Sequence, residues 1–299
     1  MNEYNPHRHA EGTQEDRHPQ PHEGTNPPKH TNYFNLSGRT AIVTGGLGLL
    51  GQRFCKALAD CGAQVAVVDL DQAKVEDFAH ELADSYDTYC IGVACDVSDP
   101  ESVARMVDAV VGQQHHIDIL LNNAATKTDN MGEFFAPFET YSLTQWRKVM
   151  SVNLDGMFLV AQAVGKWMIE QNTGGSVIQT SSIYGELGPD ERIYEGSQYL
   201  GMPINTPAVY SASKAGVIGL SKYLATRWAP YGIRVNTLTP GGMESGQNDC
   251  FIQKYANRVP LGRMGRPDEL TGAVLYLASD ASSYVTGHNL IVDGGLHAW

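Results

Sequence analysis

The sequence predicts an α/β fold: one domain built on a doubly wound parallel sheet of about seven strands, with helices on both faces. Three observations predict it. From Arg39 onward, short apolar runs rich in β-branched residues alternate with helix-length amphipathic segments. That is the pattern of strands buried on both faces and joined by helical crossovers. The first run leads into a glycine-rich turn, Thr44-Gly45-Gly46-Leu47-Gly48-Leu49-Leu50-Gly51, which opens a helix. The second run ends on an acid, Asp69, eighteen residues past Gly51. Strand, glycine turn, helix and strand-end acid, in that order, are the context of a Rossmann-like dinucleotide site.

Each element has its own signal. Residues 40–44 are a β-branched run ending at the glycine turn, and 49–61 read as a helix closed by Gly62. Residues 65–68 form a second strand and 72–85 an amphipathic helix. Residues 89–94 form a third strand, ending next to Asp96. Ser98-Asp99-Pro100-Glu101 reads as a capping box opening the next helix. Residues 117–121 form the fourth strand, followed by Asn122-Asn123-Ala124-Ala125. A long helix is expected over 143–171, a strand over 176–180, a helix over 209–228 and a strand over 233–238 before Pro240-Gly241-Gly242. A helix over 267–278 and a strand over 289–292 complete the chain, with no internal repeat and no linker to a second domain.

Residues 1–32 differ in kind. They are rich in His, Pro, Glu, Asn and Gln and nearly free of aliphatics, so they cannot bury enough apolar surface to offset their ordering entropy. A disordered tail is expected there, with residues 33–299 forming the domain. Five of the ten histidines (His7, His9, His18, His22, His30) fall in the tail, at spacings that match no defined metal site, so no metal is expected. The formal charge of -12 argues against a nucleic-acid or anionic-membrane partner. Five cysteines without metal spacing or disulfide density read as reduced thiols of a cytoplasmic protein. No apolar run approaches the ~18 residues of a membrane span, and the polar N-terminus does not read as a secretory signal.

The chemistry-bearing run is Tyr210-Ser211-Ala212-Ser213-Lys214. A Tyr and a Lys four residues apart lie on one helix face, where an ammonium can lower the pKa of a phenol. An unperturbed Tyr titrates near ~10, so a base useful at neutral pH needs such help. Glycines in the first turn let the backbone approach a pyrophosphate, whose charge the helix N-terminus stabilises. Gly51 permits close helix–strand packing. Asp69 can hydrogen-bond a ribose 2′-hydroxyl and repel a 2′-phosphate, and Leu70-Asp71 offers no cation to receive that phosphate. NAD is therefore expected over NADP. Taken singly, each feature has a plainer reading, as a tight turn, a solvated acid or a surface helix pair.

Jointly, the glycine turn, Asp96-Val97, Asn122-Asn123-Ala124, Asn153, Ser181-Ser182, Tyr210/Lys214, Pro240-Gly241 and Val292-Asp293-Gly294-Gly295 resemble the short-chain dehydrogenase/reductase family in its single-domain form, from about Leu36 to Trp299. The resemblance implies hydride transfer between a nicotinamide cofactor and a secondary alcohol or ketone. Tyr210 would be the general acid/base, Lys214 would lower its pKa and bind the nicotinamide ribose, and Ser182 would hold the reacting oxygen. Asn153 would hold a proton-relay water. Ser181 competes with Ser182, which is chosen because Ser182-Ile183-Tyr184-Gly185 fits the family's Ser-x-x-Gly. On the cofactor, the resemblance implies Gly45, Gly48, Leu50 and Gly51 at the turn, and Asp69 at the ribose. It also implies Asp96, Val97, Asn122 and Ala124 on the adenosine side, and Pro240, Gly241 and Ser245 at the nicotinamide. A homo-oligomer, a tetramer or dimer, is expected on the same ground.

Two features depart from the commonest pattern. Gly45-x-x-Gly48-x-x-Gly51 is the spacing of the family's extended members, the sugar-nucleotide epimerases and dehydratases, whose larger C-terminal domain this chain lacks. Ser182 and Tyr210 stand 28 positions apart, so residues 186–207 form an inserted loop tethered to two catalytic elements. Its Arg192, acids and tyrosines suit a polyhydroxylated substrate, and the loop with the Ala298-Trp299 ending resembles a subgroup linked to bacterial sugar and nonulosonic-acid modification. A sugar-directed oxidoreductase is therefore the leading expectation. A 3-oxoacyl- or gluconate-type reductase is the nearest alternative, and a catalytically silent NAD-binding regulator is the alternative of another class.

Overall fold

From one edge to the other the main sheet runs β3 (Cys90–Ala94), β2 (Gln64–Asp69), β1 (Thr40–Thr44), β4 (Ile119–Asn122), β5 (Gly175–Thr180), β8 (Ile233–Pro240) and β9 (Asn289–Val292), all parallel. The computed structural model describes residues 33–128, 130–199 and 201–299, so the expected tail over 1–32 lies outside the described residues. A two-residue hairpin, β6 (Gln198–Tyr199) with β7 (Met202–Pro203), sits in the inserted loop.

The crossovers are helical, as parallel pairing requires. Helix α1 (Leu49–Asp60), α2 (Gln72–Tyr86) and α9 (Thr271–Ala278) bury Phe54, Leu58, Leu82 and Val274 against one face of the sheet. Helix α3 (Pro100–Gln114), α6 (Met157–Gln171) and α7 (Ala208–Trp228) bury Met106, Val160, Met168 and Trp228 against the other. A fully buried side chain of this size contributes roughly 1.5–3 kcal/mol by transfer alone, so both faces hold the sheet firmly. Gly92 is required by packing: a Cβ there would lie 2.3 Å from the Val75 carbonyl carbon of α2.

Two sequence expectations are corrected in detail. The N-cap of α3 is Asp99, whose side chain accepts from the Glu101 amide, and not Ser98 of a capping box. Pro100 favours the first helical position, which places the cap one residue later, while Ser98 bonds back to Asp96 Oδ1 at 2.7 Å. The long helix over 143–171 is three pieces: α5 (Leu143–Met150), a π-helical turn Ser151–Gly156 carrying Asn153, and α6. Such bulges concentrate at functional sites. Two further helices had no sequence expectation: α4 (Met131–Phe134) and α8 (Asp249–Ala256). The C-terminal ends of β1, β2, β4, β5 and β8 open on one crevice. It faces the point where strand order reverses between β1 and β4, the usual ligand site of such sheets.

Candidate active site

The crevice is a cleft of about 970 Å³. At one end it meets the glycine turn. Gly45 adopts φ +65°, and a Cβ there would lie 2.9 Å from Ala124 Cα. A Cβ on Gly51 would lie 2.0 Å from the Gly45 carbonyl oxygen, so the turn closes only with glycine at that position. The turn is tied to β2: Gly46 N–H donates to the Val68 carbonyl at 2.9 Å, and Leu47 N–H donates to Asp69 Oδ2 at 3.0 Å. Gly48 is the N-cap of α1 and provides no side-chain cap. The first-turn amides thus face the cleft as a ready anion site, which suits a pyrophosphate. Asp69, Asp96, Val97 and Ala124 line the same end.

Asn122 does not line the cleft. It is buried below it, accepting from Thr44 Oγ1 at 3.2 Å and donating to the Met157 carbonyl at 2.8 Å. Its neighbour Asn123 lines the wall in its place. Thr44, at the end of β1, accepts from the amides of Asn123 and Ala124 at 2.9 and 3.1 Å, and so shapes the exit of β4. The sequence signal for Thr44 was its place as the last hydroxyl before the glycines.

At the other end, Ser182, Tyr210 and Lys214 share one wall with Pro240, Gly241 and Ser245. Ser182, two residues past the end of β5, caps the 3-10 turn Ile183–Gly185, accepting from the Tyr184 amide at 3.3 Å. Ser181 also lines the cleft, but its hydroxyl donates to the Lys214 carbonyl at 2.8 Å. Gly185 lets this turn meet the helix, since a Cβ there would lie 2.8 Å from the Lys214 carbonyl carbon. Ser245 is held by Gln247, whose Nε2 donates to its Oγ at 2.9 Å.

Lys214 is buried, and its Nζ donates to the Thr180 carbonyl at 3.0 Å. Burial pushes its pKa down to about 8. Its Nζ stands 5.9 Å from the centre of the Tyr210 ring. Burial raises the Tyr210 pKa above its ordinary value, and the opposing influence comes from hydrogen bonding to Ser182. Desolvation acts on the whole phenolate, whereas the ammonium is drawn toward Thr180.

Asn153 is fully buried and does not line the cleft. Its amide binds both main-chain groups of Thr126: Oδ1 accepts from Thr126 N–H at 2.8 Å, and Nδ2 donates to the Thr126 carbonyl at 3.4 Å. It fixes the loop after β4, a task the sequence did not reveal.

The inserted loop packs through its own apolar cluster. Ile193 and Ile183 join Phe251 and Tyr255 of α8, with Tyr194 stacked on Phe251 at 6.0 Å between ring centres. Tyr184, Tyr194, Tyr199 and Thr206 line the cleft. Arg192 does not, contrary to its expected part in substrate binding. It is 86% exposed and forms a bidentate pair with Asp190, Nε–Oδ1 and Nη2–Oδ2 both 2.8 Å. The pair closes a local turn, and it holds the Asp190 carboxyl down at a pKa of about 2.

Comparison with known proteins agrees with this geometry. A family model described as enoyl-(acyl carrier protein) reductase matches residues 49–297. The chain belongs to the short-chain dehydrogenase/reductase family. Among its relatives in that family, a D-threitol dehydrogenase of Mycolicibacterium smegmatis is 35% identical over 270 residues, covering 88% of this chain and 94% of the relative. A gluconate 5-dehydrogenase of Burkholderia cenocepacia, solved with NADP and tartrate, is 34% identical with a TM-score of 0.78, covering 90% of this chain and 98% of the other. A short-chain dehydrogenase of Leptospira borgpetersenii with bound NAD+ is 33% identical with a TM-score of 0.77, covering 92% and 98%. Family membership carries a nicotinamide cofactor, and the glycine cradle fits one. Among the described residues no helix is long and apolar enough to cross a membrane.

Proposed function

We propose that this protein moves a hydride between NAD and a secondary alcohol or ketone of a sugar or sugar derivative. The observation that carries this reading is the shared cleft. Tyr210, Ser182 and Lys214 stand at one end, and the uncapped α1 N-terminus with Asp69 stands at the other. When bound, a nicotinamide supplies hydride acceptance and return. The chain's own groups handle the proton and the geometry. Tyr210 takes the alcohol proton in oxidation and returns it to the ketone oxygen in reduction. Ser182 holds that oxygen, and Lys214 binds the nicotinamide ribose. Asn153 is a positioning residue for the loop after β4. The aromatic hydroxyls of Tyr184 and Tyr194 offer partners for substrate hydroxyls, and the relatives named for threitol and gluconate support a polyhydroxylated substrate.

The NAD preference rests on Asp69. Its Oδ1 already accepts from Leu70 N–H at 2.8 Å and its Oδ2 from Leu47 N–H, which fixes the carboxylate at the ribose end of the cleft. A 2′-phosphate there would meet a fixed negative charge. NAD is expected to exceed NADP in kcat/KM by at least about tenfold, a difference of roughly 1.4 kcal/mol. Asp69→Ala is expected to narrow that ratio. A wild-type preference for NADP would remove the assignment. The wider reading is tested with alditols, aldonates, ketoses and their phosphates, followed at the NADH absorbance. It fails if none of them reduces NAD or NADP, or is reduced by NADH or NADPH.

We read the assembly as a homo-oligomer, tetramer or dimer. Apolar Phe158 of α6 and Tyr223 of α7 are 46% and 65% exposed, which supports the reading; sedimentation measures the state. Free thiols at Cys55, Cys61, Cys90, Cys95 and Cys250 support a cytoplasmic setting.

A further inference from the structure

The two ends of the cleft differ in charge. Both carboxylates on its wall, Asp69 and Asp96, belong to the end formed by β2 and β3. The opposite end, between the loop after β4 and the inserted loop, shows no carboxylate on its wall among the described residues. What stands there is the ammonium of Lys127. Its Nζ lies 4.1 Å from the centre of the Tyr199 ring, across the mouth from one loop to the other. Tyr199 is itself fixed by a backbone bridge to Gln247. Among the described residues no carboxylate lies within ion-pair distance of Lys127. Lys148 of α5 lines the same cleft.

The backbone beside Lys127 is strained. Thr128 adopts φ +65°, in the left-handed region that a β-branched residue seldom enters. Such a conformation persists only where the surroundings over-determine it, and it recurs at ligand sites. Here they do. Thr128 N–H donates to Thr126 Oγ1 at 2.9 Å, Thr128 Oγ1 accepts from Gln145 Nε2, and Thr126 is clamped by the buried Asn153. The clamp fixes the segment from which Lys127 reaches the cleft. Facing it is a row of hydroxyls, Tyr184, Tyr194 and Thr206, linked by contacts of 3.2 and 2.5 Å.

We propose that Lys127 is a substrate-specificity residue. It binds an anionic group, a carboxylate or a phosphate, carried by a polyhydroxylated substrate whose alcohol carbon faces Tyr210. The proposal rests on the sugar-oxidoreductase reading and narrows it to acidic sugars. Lys127 is exposed at the cleft mouth, where its ammonium rests on a ring and, among the described residues, has no carboxylate partner, so an anion entering the mouth meets an available cation. The anion pairs with it through a charge-assisted hydrogen bond, which a neutral polyol cannot match. Lys214 does not take this role, because the reading above gives its ammonium to the nicotinamide ribose.

The test is isothermal titration of the full-length, NAD-loaded protein with matched probes: threitol and threonate, arabinitol and arabinonate, glucitol and gluconate, and the terminal phosphates of the alditols. At least one anion is expected to bind at least about tenfold more tightly than its neutral partner. In Lys127→Gln that gap is expected to close, and Lys127→Arg is expected to restore it. Tighter binding of the aldonate identifies a carboxylate, and tighter binding of the phosphate ester identifies a phosphate. Three results overturn the proposal: alditols binding as well as every anion, the gap surviving in Lys127→Gln, or Lys127→Gln weakening NAD binding instead, which would place the ammonium on the cofactor pyrophosphate. Turnover of the same panel is read separately. If the alditols are oxidised and no anion is preferred, only the inference about Lys127 fails.

Discussion

Tyr210→Phe is expected to reduce turnover by at least about 10²-fold, the scale of lost general acid/base catalysis, with cofactor affinity unchanged. Phe keeps the ring in its place on α7 and removes the hydroxyl that exchanges a proton with the reacting oxygen. Ser182 loses its hydrogen bond to the phenol but keeps its anchor at the Tyr184 amide, and Lys214 keeps its own at the Thr180 carbonyl. The raised pKa of the buried phenol adds a sign to the prediction. Oxidation needs the phenolate, so wild-type kcat/KM for the alcohol is expected to climb as pH rises from neutral into the alkaline range. Reduction needs the neutral phenol and is expected to show no such climb. Steady-state rates in both directions from pH 6 to 10, with cofactor binding by titration, check both statements. Near-normal turnover in Tyr210→Phe, or an oxidation rate that falls with pH, would remove Tyr210 from the proton step.

How much of this was legible in the sequence follows from which interactions are local. The sheet was legible because each parallel strand is an apolar run bounded by a turn, and Tyr210/Lys214 because four residues on a helix define one face. Helix α8 was not, since Phe251 and Tyr255 pack on the inserted loop instead of on the sheet. Lys127 was not singled out, because its placement depends on Tyr199 from a distant segment and on the strained Thr128 beside it. Arg192 was misassigned for the opposite reason. Its partner is two residues away, and a bidentate local pair with Asp190 outcompetes a reach into the cleft. The bond from Asn153 to the Thr126 main chain was not legible, because neither the π-helical turn nor Thr126 is encoded in its immediate neighbours.

Lys214→Met is expected to abolish efficient turnover and, at the same time, to raise the melting temperature near pH 7. The Lys214 side chain is 3% exposed, and its pKa falls from the ordinary 10.5 to about 8. At about 1.4 kcal/mol per unit, keeping the buried ammonium charged costs roughly 3 kcal/mol of stability. Met fills a similar volume without charge and gives up one hydrogen bond to the Thr180 carbonyl, worth about 1 kcal/mol. The balance favours the variant by roughly 1–2 kcal/mol, a rise of several degrees in a domain of this size. The sign depends on pH. Below about 8 the lysine is protonated in both the folded and the unfolded chain, so the full cost is present. Between about 8 and 10.5 the unfolded chain binds more protons than the folded one, so wild-type stability rises with pH and the gap to the variant shrinks. Melting curves of both proteins at pH 7 and pH 9.5, with turnover measured alongside, decide the matter. A variant that is less stable at pH 7, with a gap that does not move at pH 9.5, would show that Lys214 is a net structural asset. A variant that is more stable and inactive would show that the site holds its cation against the interest of the fold, as expected where stability is given up for chemistry.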